Sequence, residues 1–224
     1  MRNQIMVNTE STQSTRKRTT LPIDPTARHH AAMAPRTPRR PPAITDSALE
    51  KSALFYLERY AASSGQLRRV LLRRVKRAEM LGAEPAEADA AREHIAALVA
   101  RFMASGLLDD RRFAEAQAQS LQRRGTSRRR IRQRLAAKGV GRDFVDDALE
   151  TMEPGGETGE LAAACVLARR RRLGPYRAAG SRKEFRQKDL ATLARAGFSL
   201  DVARRVLAAR DPEALERLMR GEED

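Results

Sequence analysis

The chain is predicted to be all-α, with three tandem three-helix repeats forming an elongated, curved solenoid behind a disordered N-terminal tail. Three observations predict this. First, one helical pattern recurs with drift: Ser127, Ile131, Leu135 and Gly139 have a counterpart in the stretch ending Leu193 to Gly197, and a weaker one in Ser63, Leu67, Leu71 and Val75. After the two glycines the apolar residues fall at identical offsets, Val140, Phe144, Val145, Ala148 and Leu149 in one copy, Phe198, Val202, Ala203, Val206 and Leu207 in the other. Such self-similarity belongs to helical repeats, in which no unit buries its apolar face alone. Second, no segment alternates with period two, so no sheet is expected. Third, the chain is rich in Ala, Glu, Leu and Arg, lacks tryptophan and is only 4% aromatic, a composition of extended helical assemblies.

Each element follows from local signals. Residues 1–46 hold Pro22, Pro25, Pro35, Pro38, Pro41 and Pro42 among threonines and arginines. Nothing there is periodic, and so little apolar surface cannot offset the entropy of ordering. The first repeat, 47–106, opens at Ser47-Ala48-Leu49-Glu50, the spacing of a capping box. Leu49, Ala53, Leu57 and Tyr60 mark one face of its first helix. Ser63 or Ser64 opens a second helix, with Leu67, Leu71 and Val75 as its stripe. After a polar connection around Gly82 to Pro85, Ile95, Leu98, Val99, Phe102 and Met103 share one side of a third helix, which ends near Gly106.

The second repeat, 107–153, begins Leu107-Leu108-Asp109-Asp110. An aspartate before a helix caps free N–H groups and suits the positive end of the dipole. Phe113, Gln117 and Leu121 continue this helix to Arg124-Gly125; Thr126 or Ser127 caps the next, which Gly139 ends. The third repeat, 157–220, starts near Thr158-Gly159-Glu160 and breaks at Gly174-Pro175. Helices over about 181–196 and 199–209 follow. Asp211-Pro212-Glu213 then starts a short last helix with aspartate as cap and proline in the first turn.

The formal net charge is +15. Residues 1–46 carry 8 basic and 3 acidic side chains and residues 47–224 carry 36 and 26, so the folded body holds the larger surplus. A body of that charge favours a polyanion, through release of counterions from phosphates. Cys165, the single cysteine, lies in Leu161-Ala162-Ala163-Ala164-Cys165-Val166-Leu167 and reads as a small core hydrophobe. No apolar run approaches the ~18 residues of a membrane span, and the basic N-terminus lacks the apolar core of a secretory signal. No membrane partner, a cytoplasmic location and a monomer are expected.

Enzymatic chemistry is not expected. His29 and His30 lie in the tail and His94 stands alone; there is no phosphate-cradling glycine loop, no nucleophile elbow and no metal-spaced Cys/His set. Asp109 and Asp110 have no further ligand at metal spacing nearby, so capping outweighs catalysis. No cofactor is expected. What remains is charge geometry. With Ile131 and Leu135 inward, Arg129, Arg130 and Arg132 point away, and Arg128 and Arg134 flank the stripe. Arg123 and Arg124 close the preceding helix. Arg68, Arg69, Arg73 and Arg74 occupy the corresponding helix of the first repeat, and Arg169, Arg170, Arg171 and Arg172 end the first helix of the third. Guanidinium groups suit bidentate binding of phosphates or of carboxylates on a protein.

A helix-turn-helix repressor would place the segment after Gly139 in the major groove. Its outward positions are Arg142, Asp143, Asp146, Asp147 and Glu150, a mostly acidic face with few base-reading groups. Sequence-specific readout is therefore not expected, and an acidic face opposite arginine-rich helices suits contact with a protein and a nucleic acid together.

Five motifs in order carry a family resemblance: Ala53-Leu54 through Leu57-Glu58-Arg59-Tyr60; Ser64-x-x-Leu67-Arg68-Arg69; Gly106-Leu107-Leu108-Asp109-Asp110-x-x-Phe113-Ala114; Arg130-Ile131-x-x-x-Leu135-x-x-Lys138-Gly139-Val140; and Leu193-Ala194-Arg195-x-Gly197-Phe198-Ser199. Over about residues 48–209 the chain resembles RecX, the bacterial regulator of the recombinase RecA. The resemblance implies three three-helix repeats, no enzymatic activity, and binding in the groove of the RecA–single-stranded DNA filament, which modulates and usually inhibits strand exchange and coprotease function. Two departures stand out: Val75 replaces the glycine of the first repeat, and Asp189 replaces the apolar residue matching Ile131, with Leu190 a candidate to compensate by a shift of one residue. Contact residues are chosen on charge and projection: Arg68, Arg69, Arg73, Arg74, Arg124, Arg128, Arg129, Arg130, Arg132, Arg169, Arg170 and Arg171. The competing reading is a stand-alone nucleic-acid binder, architectural or transcriptional.

Overall fold

The computed structural model of the chain describes residues 41–153 and 155–219. The proline-rich stretch up to residue 40, with Arg16-Lys17-Arg18, Arg39-Arg40, His29 and His30, lies outside the described residues. Within them the chain is helical throughout: α1 (Asp46–Leu57), α2 (Ser64–Glu79), α3 (Pro85–Ala104), α4 (Asp110–Arg123), α5 (Arg128–Ala137), α6 (Arg142–Glu150), α7 (Gly156–Arg171), α8 (Arg182–Arg195), α9 (Leu200–Ala208) and α10 (Pro212–Met219). Two single 3-10 turns, Gly174–Tyr176 and Ala179–Ser181, link α7 to α8. None of these helices is long and apolar enough to cross a membrane.

Apolar side chains gather in three successive clusters. Leu49, Leu67, Leu71, Ile95 and Leu98 centre the first, formed by α1, α2 and α3. Ile131, Leu135, Val145 and Leu149 centre the second, formed by α4, α5 and α6. In the third, alanines and Cys165 of α7 meet Leu193, Val206 and Leu215 of α8, α9 and α10. The stripes read from the sequence, Leu67, Leu71 and Val75 on α2 and Ile131 and Leu135 on α5, are all buried. At roughly 1.5–3 kcal/mol for each large apolar side chain fully removed from water, these stripes hold the helices in place.

Several local expectations are corrected. α1 starts two residues earlier than the expected capping box implies: its N-cap is Thr45 in place of Ser47, and no side chain caps it. The helix ends at Leu57, so Tyr60 lies beyond it, exposed, with its ring 5.2 Å from that of Tyr56. The buried position on α8 is Asp189 itself, 1% exposed, and Leu190 packs only partly against the core without replacing it. The carboxylate is satisfied there because Arg177 donates to it twice at 2.7 Å and the Gly174 N–H once at 2.9 Å. Burial pushes the Asp189 carboxyl up, but these hydrogen bonds outweigh it and hold it below the usual range.

Neighbouring clusters meet through one joint used twice. At the N-terminus of α2, the N-cap Ser63 accepts the N–H of Gln66 at 3.1 Å and donates its hydroxyl to the carbonyl of Lys138, at the end of α5, at 2.6 Å. At the N-terminus of α5, Ser127 accepts the N–H of Arg130 at 3.4 Å and donates to the carbonyl of Ala196, at the end of α8, at 2.7 Å. The first N–H of each helix then goes to a carboxylate from the following cluster: Ser64 N–H to Asp110 at 2.7 Å, Arg128 N–H to Glu160 at 2.9 Å. Each joint thus satisfies helix-end donors and a helix-end carbonyl that would otherwise lack partners. The glycines after those carbonyls permit the approach. Gly139 (φ +79°) and Gly197 (φ +95°) are left-handed, and a Cβ on Gly197 would lie 2.5 Å from Ser127 Oγ.

Candidate nucleic-acid interface

Arginines cover the helices that these joints orient. Arg68, Arg69 and Arg73 on α2, Arg124 at the end of α4, Arg129, Arg130 and Arg132 on α5, and Arg169, Arg170 and Arg171 on α7 are exposed. Arg74 and Arg128 are half-buried. Arg74 is tied to the start of the described chain, its Nε donating to the carbonyl of Ala43 at 2.9 Å. Arg128 packs into the second joint: its Nη1 is buried without a hydrogen-bond partner among the described residues, and its charge draws the Glu160 carboxyl down while burial, the larger effect, pushes it up. Of the twelve, Arg132 alone forms an ion pair among the described residues, donating from Nη2 to Asp146 at 2.9 Å and from Nε at 3.1 Å.

That pair also changes the reading of α6. Asp146 and Asp147 are half-buried and engaged, Asp146 by Arg132 and by Arg142 at 3.6 Å, Asp147 by Arg111 at 2.8 Å. Of the acids on that expected face only Asp143 and Glu150 stand exposed, beside the exposed Arg142. The outer side of α6 is therefore closer to neutral than its sequence implies.

The structure brings the basic groups of two clusters together at one place. Between α5, α7 and α8 lies a cleft of about 240 Å³ walled by Arg130, Arg134, Arg170, Arg171 and Arg195, with no carboxylate in its lining. Arg130 Nη2 donates to the carbonyl of Arg195 at 2.8 Å and Arg170 Nη1 to the carbonyl of Arg124 at 3.1 Å. These bonds steer two guanidinium groups while leaving each most of its donors. Arg68, Arg69, Arg73 and Arg74 on α2 do not line this cleft. Arg134 and Arg195 lie outside the twelve contact arginines that charge and projection indicate. Arg134 lies one turn after Arg130, a visible signal; Arg195 joins only through the packing of α8 against α5. Cys165, by contrast, is buried, and burial pushes its thiol up to about 12, which leaves it unreactive core. His94 is not isolated, since its Nδ1 is 3.2 Å from Asp46. No group of three or more potential metal ligands occurs among the described residues.

Comparison with known proteins agrees with this architecture. The family model for the second three-helix domain of RecX matches residues 109–149. The regulatory protein RecX of Myxococcus xanthus is 45% identical over 174 residues, covering 77% of this chain and 90% of the relative. That of Agrobacterium fabrum is 34% identical over 164 residues, covering 73% and 83%. The crystal structure of RecX from Lactobacillus salivarius superposes with a TM-score of 0.52 at 16% identity, over 74% of this chain and 96% of that one, which supports the fold. With two relatives above a third identical over most of both chains, this chain belongs to the RecX family of regulatory proteins.

Proposed function

We propose that this protein regulates RecA by binding the RecA–single-stranded DNA filament, without chemistry of its own. The observation that carries the reading is that eleven of the twelve arginines chosen on charge have no ion pair among the described residues, while Asp146 and Asp147 of α6 are held by Arg132, Arg142 and Arg111. Unneutralised guanidinium groups on successive helices suit an extended polyanion, and in this family the polyanion is the DNA of a recombinase filament. If six to ten of them meet phosphates, affinity falls by roughly 10³–10⁵ between 50 and 200 mM salt.

The test is ATP hydrolysis by RecA on single-stranded DNA, titrated with this protein. Suppression well below one copy per recombinase supports action on the filament. An unchanged rate at saturating amounts overturns it and leaves a protein that binds nucleic acid by itself.

A further inference from the structure

We propose that the arginine cleft between α5, α7 and α8 is a binding site for consecutive backbone phosphates of one nucleic-acid strand. The proposal deepens the filament reading and rests on it for the source of the strand; the cleft supplies the chemistry.

Comparison of the two joints carries it. The joints share their bonding, Ser63 with Lys138 and Asp110 in one, Ser127 with Ala196 and Glu160 in the other. Carried along each of the three helices from its anchoring pair, that register sets residues of one joint opposite residues of the other. Opposite Arg130, Arg134, Arg170, Arg171 and Arg195 stand Gln66, Val70, Ser120, Leu121 and Ala137. Opposite Thr192 and Ala196 of the lining stand Arg134 and Lys138, so the first joint carries two cations where the second gathers five, and stacking of the repeats does not require the five. Five guanidinium groups around one recess repel one another, and no carboxylate lines it to relieve that repulsion. A local violation of this kind, absent from an equivalent joint in the same chain, marks a functional position.

The ligand class follows from the charge. One carboxylate would leave most of five positive charges uncompensated. A nucleic-acid strand brings several charges at short, regular spacing, and the planar guanidinium fork matches phosphate oxygens. A recess between three helices admits a single strand; a duplex would reach it only with the edge of one groove. The strand would touch α5 of the second repeat and α7 and α8 of the third, the helices held by Ser127 and Glu160. Binding therefore also fastens the second joint.

The experiment measures anisotropy of a fluorescein-labelled oligothymidylate titrated with the full chain over a range of salt. Two charge-matched triple variants are compared. One carries Arg134→Gln, Arg171→Gln and Arg195→Gln; the other carries Arg101→Gln, Arg142→Gln and Arg210→Gln, three arginines that form ion pairs elsewhere. Losing three phosphate contacts lowers the slope of log K against log salt by about 2, hence affinity by about 100-fold at 0.1 M salt. The second variant is expected to change affinity less than about threefold, since its arginines are not phosphate contacts. Equal losses in both variants overturn the proposal. So does a first variant that keeps oligonucleotide affinity but loses its effect on RecA ATP hydrolysis, which would give the cleft to a protein surface and leave the filament reading intact. Conversely, a parent chain that leaves RecA unaffected while the first variant loses the oligonucleotide sinks the filament reading and keeps the cleft. Ultraviolet crosslinking of the oligonucleotide to the unmodified chain gives a check free of any folding defect: attachment within α5, α7 or α8 supports the site, and attachment only elsewhere overturns it.

Discussion

Replacing Ser127 by alanine removes one oxygen and, at the second joint, two hydrogen bonds. The hydroxyl accepts from Arg130 N–H at 3.4 Å and donates to Ala196 O at 2.7 Å, on a residue with no exposure. Loss of a serine N-cap costs about 1 kcal/mol. The deserted carbonyl of Ala196, facing a methyl group in place of a donor, adds roughly 1–3 kcal/mol. The sum is about 2–4 kcal/mol, and the long 3.4 Å capping bond places it in the lower half of that range, about 2–3 kcal/mol. For a domain of this size each kcal/mol moves Tm by roughly 2–4 °C, so the expected drop is about 5–10 °C.

Thermal unfolding followed by far-ultraviolet circular dichroism reads it directly. Thr126→Ala is the control, because Thr126 is an adjacent hydroxyl residue of equal merit by sequence and makes no capping bond. Its cost is expected within about 0.5 kcal/mol, under ~2 °C. Equal losses at the two positions, or a Ser127→Ala melt unchanged from the parent, would refute the joint as described.

Two further outcomes follow from buried groups. Asp189→Asn keeps the side-chain shape but takes the counter-charge from Arg177, which retains 24% exposure; the cost is about 2–3 kcal/mol, below the roughly 3–5 of a fully buried pair. Because the folded Asp189 carboxyl lies below its unfolded value of ~3.9, its contribution is complete above that pH and is lost as pH falls through the folded value. Urea midpoints of the parent should therefore fall more steeply than those of Asp189→Asn on acidification below ~4, and parallel curves would contradict the pairing. Cys165, 2% exposed and with its thiol pushed up to about 12, should resist Ellman's reagent in the native chain and react at once in denaturant. At pH 8 only about one thiol in 10⁴ is ionised, so rapid native labelling would disprove its packing.

What was legible in the sequence was whatever depends on neighbours within a few turns. The stripes of α2 and α5 and the cap at Asp211, which accepts from Ala214 N–H at 2.7 Å, follow from period and from residue type. The choice between Ser63 and Ser64, or Thr126 and Ser127, did not, because two adjacent hydroxyls offer the same local chemistry. What decides it is a carbonyl 75 or 69 residues away. Asp109 and Asp110 read alike as caps, yet Asp109 caps its own helix at Arg112 N–H and Asp110 reaches back to Ser64. Asp189 looked like a break in the apolar pattern because its partners, Arg177 and Gly174, lie in an irregular link with no periodic signal. The cleft was legible in part: Arg130, Arg170 and Arg171 stood out by charge, but Arg195 enters only when α8 folds against α5.

The two signs of charge have separate tasks in this chain, and side-chain length explains the division. A carboxylate on a short stem reaches backbone N–H groups within its own turn or across a tight joint. Asp109, Asp110, Glu160 and Asp211 all do so, and Asp189 adds the Gly174 N–H to its ion pair. Each such bond satisfies a donor that helix ends leave open, so these acids stabilise the architecture. Arginine carries its charge on a long stem and reaches past the helix surface, where no backbone donor needs it. Asp109, Asp110 and Glu160, engaged in this way, form no ion pair with an outer arginine among the described residues, whereas Asp211 also meets Arg210, and Asp146 and Asp147 of α6 are captured by Arg132, Arg142 and Arg111. A surplus of ten positive charges over residues 47–224 thus understates the field at the arginine cleft, whose lining holds five guanidinium groups and no carboxylate. The same bonding that stacks the repeats therefore concentrates positive charge at the cleft.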